Sequence, residues 1–358
     1  MNARFFALMC AVTTAIIAMV VLVQVPITGQ GPATTTETAA DTWTVPRTAD
    51  GQPDLQGVWA NNSATPFERP KQLADRQFFT DAEMAELKKI ADQIVGNDGD
   101  AQFGDGLILA ALDRVTKPGS YDPATGNYNQ FWLVEREFED RRTSLVVDPP
   151  DGRIPALTPE AEKRRAAAAE YRKRHPADGP EDRPAGERCA NFGIPKVGAG
   201  YNSYYHIFQS PGHVAILSEM AHDARIIPLD GRPHVDESIR QWNGDARGHW
   251  EGGTLVVETT NFSSKSEFRV GAQDGLHSQE NLHLIERFTR VGPNTLNYEV
   301  IVTDPTTWTR PWTALIPLKA SPDKIYEYAC HEGNEGMFGI LSGHRAQEKS
   351  EAAKTKSN

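Results

Sequence analysis

Short runs of alternating apolar and polar residues fill the second half of the chain, and turn residues separate them. The runs are SYYHIFQ, HVAILSEM, ARIIPL, TLVVETTNF, NLHLIERFTRV, NTLNYEVIVTD, WTALIPL and KIYEYAC. Alternation with a period of two is typical of β-strands that bury one face. Strands of this length and spacing predict an antiparallel meander that forms a barrel or a sandwich. The predicted fold class is therefore mainly β.

Two of these runs carry a carboxylate on the face that we expect to point inward. Alternate positions are Leu282, Leu284, Glu286 and Phe288 in one run, and Ile325, Glu327, Ala329 and His331 in the last run. Glu286 and Glu327 are therefore candidates for a polar site inside the sheet.

The first half of the chain predicts two helices and a few strands. A capping box, Thr80-x-x-Glu83, opens a stretch to Val95 with apolar residues at helical spacing. A second helix is predicted from Thr158 to about Arg174, with Thr158 as its cap. The predicted strands here are 55–59 and an antiparallel pair, 131–138 and 143–148. These helices and strands form an N-terminal accessory region of the β-rich domain.

The N-terminus has the pattern of an export signal, because Arg4 precedes an uncharged apolar run to about Val25. The run is also long enough to remain as a membrane anchor. We therefore divide the chain into a signal or anchor over 1–30, a flexible tether over 31–45, one β-rich domain over 46–345 and a disordered tail over 346–358. The predicted location is periplasmic or extracellular, with membrane contact only through the N-terminal segment.

Composition narrows the class of partner. The 358 residues are 39% hydrophobic, which suffices for a core, and the formal net charge is -11. An acidic protein is poorly suited to nucleic acid or to an anionic membrane surface. A small molecule is the expected partner.

The exported part contains two cysteines, Cys189 and Cys330. In an oxidising compartment two cysteines most simply form one disulfide, and we predict that bridge. A metal site that uses Cys330 and His331 is the competing interpretation.

Several long strings of this sequence resemble a large group of exported bacterial proteins of unassigned function. They include HDARIIPLDGRPH, GHWEGGTLVVETTNF, LHLIERFTRV, DPTTWTRPW and YEYACHEGNEGM, and the resemblance extends from about Val45 to Arg345. It implies an export route and one continuous domain, but it assigns no activity. Gly57-x-Trp59 also resembles the first-strand motif of lipocalin-like barrels.

The stretch from His222 to Phe262 concentrates His, Trp, Arg and Asp residues, which indicates a site or a buried polar network. Candidate acid/base groups in and around a barrel interior are His222, Asp223, Glu286, Glu327, His331 and Glu332. Candidate ligand-binding groups are Arg225, Arg247, Trp250, Arg287, Tyr328 and Asn334. His331, Glu332 and Asn334 are expected to line a barrel mouth.

Seven residues could also contribute metal ligands: His222, Asp223, His234, His277, His283, His331 and Glu332. Their spacing matches no standard zinc motif such as H-E-x-x-H, so a shared site would require convergence in space. The sequence implies no specific cofactor and leaves a divalent metal as an open alternative.

These patterns favour an exported hydrolase or lyase that applies side-chain acid/base chemistry to a small polar or carbohydrate-like molecule. A non-catalytic barrel that binds a small ligand is the first alternative. A structural envelope protein, whose charges only make the fold rigid, is the second.

Overall fold

Ten antiparallel strands form one sheet in the computed structural model. The model describes residues 43–357 except 75, 98, 121–128, 131–132, 195, 199, 201 and 267–279. The strands are β1 (Gly57–Ala60), β2 (Val146–Asp148), β3 (Tyr204–Ser210), β4 (His213–Ser218), β5 (Ala224–Pro228), β6 (Asp245–Glu251), β7 (Thr254–Thr260), β8 (His283–Gly292), β9 (Thr295–Thr303) and β10 (Trp312–Ser321). Their order is β5-β4-β3-β1-β10-β9-β8-β7-β6, and β2 pairs with β10. The predicted mainly antiparallel β class is confirmed.

The two ends of this sheet approach each other. Gly248 on β6 lies so close to β5 that a Cβ atom there would be 2.8 Å from Ile227 Cγ2 and 2.7 Å from Leu229 Cδ2. No hydrogen-bonded ladder joins β5 to β6 within the strands described. The sheet therefore curls towards a barrel without closing by strand pairing, and Gly248 permits the close approach because it has no side chain.

The inward faces of the strands share one apolar core. Leu284, Glu286 and Phe288 on β8 are all buried, as the alternation predicts. Trp59 is only 1% exposed, and its Nε1 donates to the Leu55 carbonyl at 2.8 Å. The Arg290 guanidinium lies 5.5 Å from the centre of the Trp59 ring. The G-x-W tryptophan is thus a core residue with a cation on its face.

Four α-helices accompany the sheet: α1 (Asp81–Gly96), α2 (Gly106–Leu112), α3 (Pro159–Arg174) and α4 (Glu335–Ser357). The capping box of Thr80 and Glu83 is present at α1, and Thr158 caps α3 by accepting from Ala161 N. The buried side of α1 packs with α2 in a second, smaller apolar cluster. No helix in the described part of the chain is long and apolar enough to cross a membrane.

Three sequence predictions about strands are wrong. Residues 324–330 form no strand, so Glu327 does not face the interior and is exposed. Strand β10 already has β1 and β9 as neighbours, and Cys330 is bonded to Cys189 outside the sheet. The described part of 131–138 makes only an isolated bridge from Glu137 to Ser63, and it does not pair with the 143–148 segment. That segment contributes just the three residues of β2.

The sequence also missed one strand, β6, and two helices, α2 and α4. Strand β6, DARGHWE, has little apolar content because its inward positions include the small residues Ala246 and Gly248. The tail that we predicted to be disordered from 346 continues α4 to Ser357. The predicted signal segment, and the tether up to residue 42, lie outside the described residues.

Candidate functional site at the disulfide-linked end of the sheet

A disulfide joins two segments outside the sheet at one end of the curled strands. Cys189 and Cys330 are bonded, with their Cα atoms 5.7 Å apart, as predicted. Asn334 Nδ2 donates to the Glu187 carbonyl at 2.9 Å, which ties the same two segments together again. His222 Nδ1 lies 2.9 Å from the Tyr328 carbonyl oxygen. These contacts hold the 187–196 and 328–334 segments beside the connection between β4 and β5, and we call this region the disulfide-linked end.

An ion pair between a largely buried arginine and a fully buried glutamate crosses the interior behind this end. The Arg225 guanidinium on β5 donates two hydrogen bonds to Glu286 on β8, from Nη1 to Oε2 at 2.5 Å and from Nη2 to Oε1 at 2.9 Å. The Tyr298 hydroxyl also donates to Glu286 Oε1, at 2.8 Å. Three hydrogen bonds therefore satisfy a carboxylate whose side chain is completely buried.

Lys196 contributes a second buried cationic group. Its Nζ donates to the Asn202 carbonyl at 2.9 Å, and its own carbonyl accepts from the Tyr205 hydroxyl at 2.8 Å. Burial lowers the pKa of Lys196 to about 7, although the nearby Glu219 carboxylate acts in the opposite direction. Burial also raises the pKa of Tyr205, which stays a neutral donor. The lysine is thus divided between its charged and neutral forms near neutral pH.

Two carboxyl groups near Lys196 have raised pKa values for the same physical reason. Partial burial raises the pKa of Asp223, against the opposing effects of its hydrogen bond with Asn243 and of the His222 charge. Partial burial likewise raises the pKa of Glu219, which accepts from Tyr204 N at 3.4 Å. Raised carboxyl pKa values and a lowered amino pKa reduce the difference in proton affinity between these groups, which favours proton transfer.

Several of these groups line one cavity. Its free space is about 20 Å³, which is enough for a single water molecule. The polar lining consists of Lys196, Tyr205, Ser218, Asp223, Arg225 and Tyr298, and the apolar lining includes Ile194, Ile216 and Phe288. Residues with a carboxyl, an amino and a guanidinium group therefore line the same small cavity.

The structure brings several of the predicted site residues together at this end. Those that line the cavity, lie behind it or make contacts between the linked segments are His222, Asp223, Arg225, Glu286, Tyr328 and Asn334. Glu327, His331 and Glu332 are exposed and do not line the cavity. Trp250 packs against the core, while Arg287 pairs with Glu251 at 2.9 Å on the outer face.

Sequence reasoning missed Lys196 and Glu219. Lys196 stands in the sequence IPKVG, where Ile194 and Val197 are buried neighbours. A lysine between apolar residues in a Gly- and Pro-rich segment is a weak signal of burial. Glu219 directly follows β4, which ends at Ser218. The strand alternation therefore could not predict the position of its side chain, which depends on the turn after the strand.

A second polar cluster occupies the outer face of the sheet, where β6, β7 and β8 lie side by side. His234 Nδ1 lies 2.9 Å from Asp245 Oδ2, and Arg247 Nη1 donates to Asp245 Oδ1 at 2.7 Å. His283 Nε2 lies 2.7 Å from Glu258 Oε1. The stretch from 222 to 262 thus supplies two separate clusters, with His222, Asp223 and Arg225 in one and His234, Asp245, Arg247 and Glu258 in the other.

Comparisons with known proteins place the chain in no family. No family model matches the chain, and no curated protein matches it. One solved structure, a secretory abundant heat soluble protein from Ramazzottius varieornatus, is similar at 15% identity over 33% of this chain and 70% of that chain. Its TM-score is 0.21, a value at which the likeness carries no argument about fold or function. The resemblance to exported proteins of unassigned function remains a prediction.

Proposed function

We propose that this protein is an exported enzyme that applies acid/base chemistry to a small polar molecule at the disulfide-linked end. The single observation that carries the proposal is the cavity that is lined both by Lys196, whose pKa is about 7, and by Asp223, whose pKa is raised. The Cys189–Cys330 disulfide supports an oxidising compartment outside the cytoplasm.

Each lining group has a role that its chemistry suggests. Neutral Lys196 is the general base, and the protonated form of Asp223 is the acid. A guanidinium has five N–H donors, and Arg225 uses two of them on Glu286. Its remaining donors can hold an oxygen of the substrate or an oxyanion. A hydrolysis or an elimination at an oxygen-rich molecule uses this set of groups.

Chromogenic substrates test the proposal. Purified protein is assayed with 4-nitrophenyl acetate and a panel of 4-nitrophenyl glycosides between pH 5 and pH 9. We expect a bell-shaped pH–rate profile, because the reaction needs neutral Lys196, whose pKa is about 7, together with protonated Asp223. Lys196→Met should lower the rate by about 10²- to 10⁴-fold, the usual contribution of a general base. Lys88→Met changes an exposed lysine on α1 and should have no effect.

The proposal fails if the wild type turns over none of these substrates, or if Lys196→Met retains the wild-type rate and pH profile. Asp223→Asn gives a second criterion. Because this variant lacks the proposed general acid, the alkaline side of its pH–rate profile should differ from that of the wild type.

One observation favours a structural envelope protein, whose charges only make the fold rigid, as a second candidate. The free space is only about 20 Å³, and Glu286 is satisfied by three hydrogen bonds. A tightly filled polar interior is what a structural network requires. In that case no substrate is turned over, and removal of the buried lysine charge stabilises the fold.

A further inference from the structure

Helix α4 carries a histidine and a glutamate one turn apart, and an aspartate from another segment faces them. His344 and Glu348 are four residues apart, so they lie on the same side of the helix. Asp178 belongs to the segment that follows α3. One potential ligand atom from each of the three residues lies within 4.8 Å of the other two. We call these three residues the α4 cluster.

The distances around His344 are long for hydrogen bonds. Its Nε2 lies 3.3 Å from Asp178 Oδ1 and 3.5 Å from Glu348 Oε1. Both distances exceed the range of about 2.7 to 3.2 Å that is usual for N–H···O hydrogen bonds. By contrast, His175 Nδ1 and Asp178 Oδ2 are 2.7 Å apart. A single hydrogen on His344 Nε2 cannot lie on the line to both oxygens, so a proton accounts poorly for this arrangement.

The same distances fit ligand atoms on one zinc ion. With tetrahedral bonds of about 2.0 to 2.2 Å, neighbouring ligand atoms lie about 3.3 to 3.6 Å apart. The separations of 3.3 and 3.5 Å from His344 Nε2 are within that range. The His344 side chain is 16% exposed, whereas those of Asp178 and Glu348 are 46% and 43% exposed. An ion therefore has direct access to the two carboxylates from the solvent.

Other groups orient the two carboxylates and leave one oxygen of each directed at His344. His175 Nδ1 contacts Asp178 Oδ2 at 2.7 Å, and Arg345 Nη1 donates to Glu348 Oε2 at 2.8 Å. Arg345 Nη2 also donates to the Asp178 carbonyl at 2.8 Å, which holds this segment against α4. Outer contacts of this kind fix the orientation of metal ligands. They place Asp178 Oδ1 and Glu348 Oε1 on the side of His344 Nε2.

We propose that Asp178, His344 and Glu348 bind a divalent transition-metal ion, with Zn²⁺ as the first candidate. Arg345 offsets one of the two carboxylate charges, so the cluster keeps one negative charge for a cation. An imidazole ligand suits Zn²⁺ better than Mg²⁺ or Ca²⁺, which prefer oxygen ligands. Three protein ligands leave a coordination position for water.

The ion connects two parts of the chain. It joins α4 to the segment after α3, so its binding fastens the C-terminal helix to the rest of the fold. The cavity at the disulfide-linked end is lined by other residues. The metal site is therefore independent of the function proposed above.

Zinc titration of purified, tag-free protein after treatment with a chelator tests the site. We expect calorimetry and elemental analysis to give one Zn²⁺ per chain. His344→Ala should weaken binding by at least about 100-fold, and His175→Ala, which only positions Asp178, by about 10-fold. His249→Ala is the matched control and should bind like the wild type, because this exposed histidine contacts Glu251 on the sheet.

Thermal unfolding gives a second readout. Zn²⁺ that binds only the folded chain raises the melting temperature as its concentration increases. We expect this rise in the wild type and in His249→Ala, and no rise in His344→Ala. An excess of Ca²⁺ should not displace the zinc, because the imidazole ligand disfavours it.

Four outcomes overturn the proposal. They are the absence of zinc binding in the wild type, unchanged affinity in His344→Ala, loss of binding in His249→Ala, and displacement of the zinc by Ca²⁺. Circular dichroism of each variant establishes that it is folded. Glu348→Ala replaces His344→Ala if the latter is not folded, and it should weaken zinc binding in the same way.

Discussion

At the scale of single residues, stability depends on whether each polar group finds a partner close by. At the start of α1, Thr80 and Glu83 each provide a side-chain acceptor for the other's backbone N–H, which has no partner within the helix. Thr80 N donates to Glu83 Oε2 at 2.8 Å, and Glu83 N donates to Thr80 Oγ1 at 3.2 Å. The contact with Arg76, followed by these bonds, lowers the pKa of Glu83 to about 2. The capping box was predictable from sequence because its partners are only three residues apart.

Loss of this cap should destabilise the protein modestly. Thr80→Ala removes the acceptor for Glu83 N, and we expect a loss of about 1 kcal/mol in the free energy of unfolding. Thr80→Ser keeps the hydroxyl and should restore most of that loss. Urea denaturation followed by circular dichroism measures both variants, and equal stability of the alanine and serine variants would contradict the expected role of the hydroxyl.

Lys196 makes stability depend on pH in a direction set by its lowered pKa. Between the folded pKa of about 7 and the usual lysine value of about 10.5, the unfolded chain binds more protons than the folded chain. Stability therefore rises with pH across this window, and the cost of burying the charge is greatest below about pH 7. Lys196→Met removes that cost.

We therefore expect Lys196→Met to melt at a higher temperature than the wild type at pH 6.5. The difference in the free energy of unfolding between the two proteins should shrink by a few kcal/mol as the pH approaches 10, because each unit of pKa shift corresponds to about 1.4 kcal/mol. Melting curves of both proteins at pH 6.5, 8 and 9.5 measure this change, with the exposed Lys88→Met as control. A stability difference that stays constant with pH would show that the pKa of Lys196 is not lowered in the folded protein.

At the scale of elements, the chain after β10 is organised by covalent and side-chain contacts instead of strand pairing. Alternation in KIYEYAC predicted a strand, but both neighbours of β10 are already in place. Cys330 instead joins Cys189, and α4 follows from Glu335. Arg345 then anchors α4, because its Nη2 donates to the carbonyls of Ala177 and Asp178 at 2.8 Å.

Removal of the disulfide should lower stability more than the loss of any cap. The two cysteines are 141 residues apart, and the chain-entropy model gives about 5 kcal/mol for a loop of this length. The double variant with Cys189→Ser and Cys330→Ser should therefore melt at a clearly lower temperature. Wild-type protein under reducing conditions provides the matched comparison. Equal melting temperatures for the oxidised and reduced wild type would contradict this expectation.

At the scale of the whole molecule, the pair of Arg225 and Glu286 joins strands that are far apart in the sheet. Arg225 lies on β5, at one end of the strand order, and Glu286 lies on β8, near the other end. Because no ladder joins β5 to β6, this ion pair, together with the packing at Gly248, connects the two ends of the curled sheet.

Breaking this pair should be costly, while replacing both partners should be less so. Arg225→Met leaves the Glu286 carboxylate buried without its cation, and we expect a loss of about 3 to 5 kcal/mol. The double variant with Arg225→Met and Glu286→Met removes both charges and should recover much of that stability. Chemical denaturation of the wild type, Arg225→Met, Glu286→Met and the double variant gives the coupling energy. A double variant that loses the sum of both single effects would contradict a coupled buried pair.

The sequence by itself determined the elements whose signals are local. The strand alternation, the caps of α1 and α3 and the buried face that holds Glu286 follow from residue type and short-range spacing. The disulfide follows from the presence of only two cysteines after the predicted signal segment. The resemblance to exported proteins of unassigned function and the lipocalin-like motif gave no activity.

Only the tertiary structure decided which polar groups meet. Lys196 and Asp223 line one cavity because the 187–196 segment is held beside β5, and Glu258 on β7 contacts His283 on the neighbouring strand β8 and lies 3.8 Å from His234. The same strand order excluded a strand at 324–330, and contacts with the 177–178 segment hold the helix that replaces the predicted tail. Local spacing cannot specify such contacts, because they depend on strand order and register between residues that are distant in the chain.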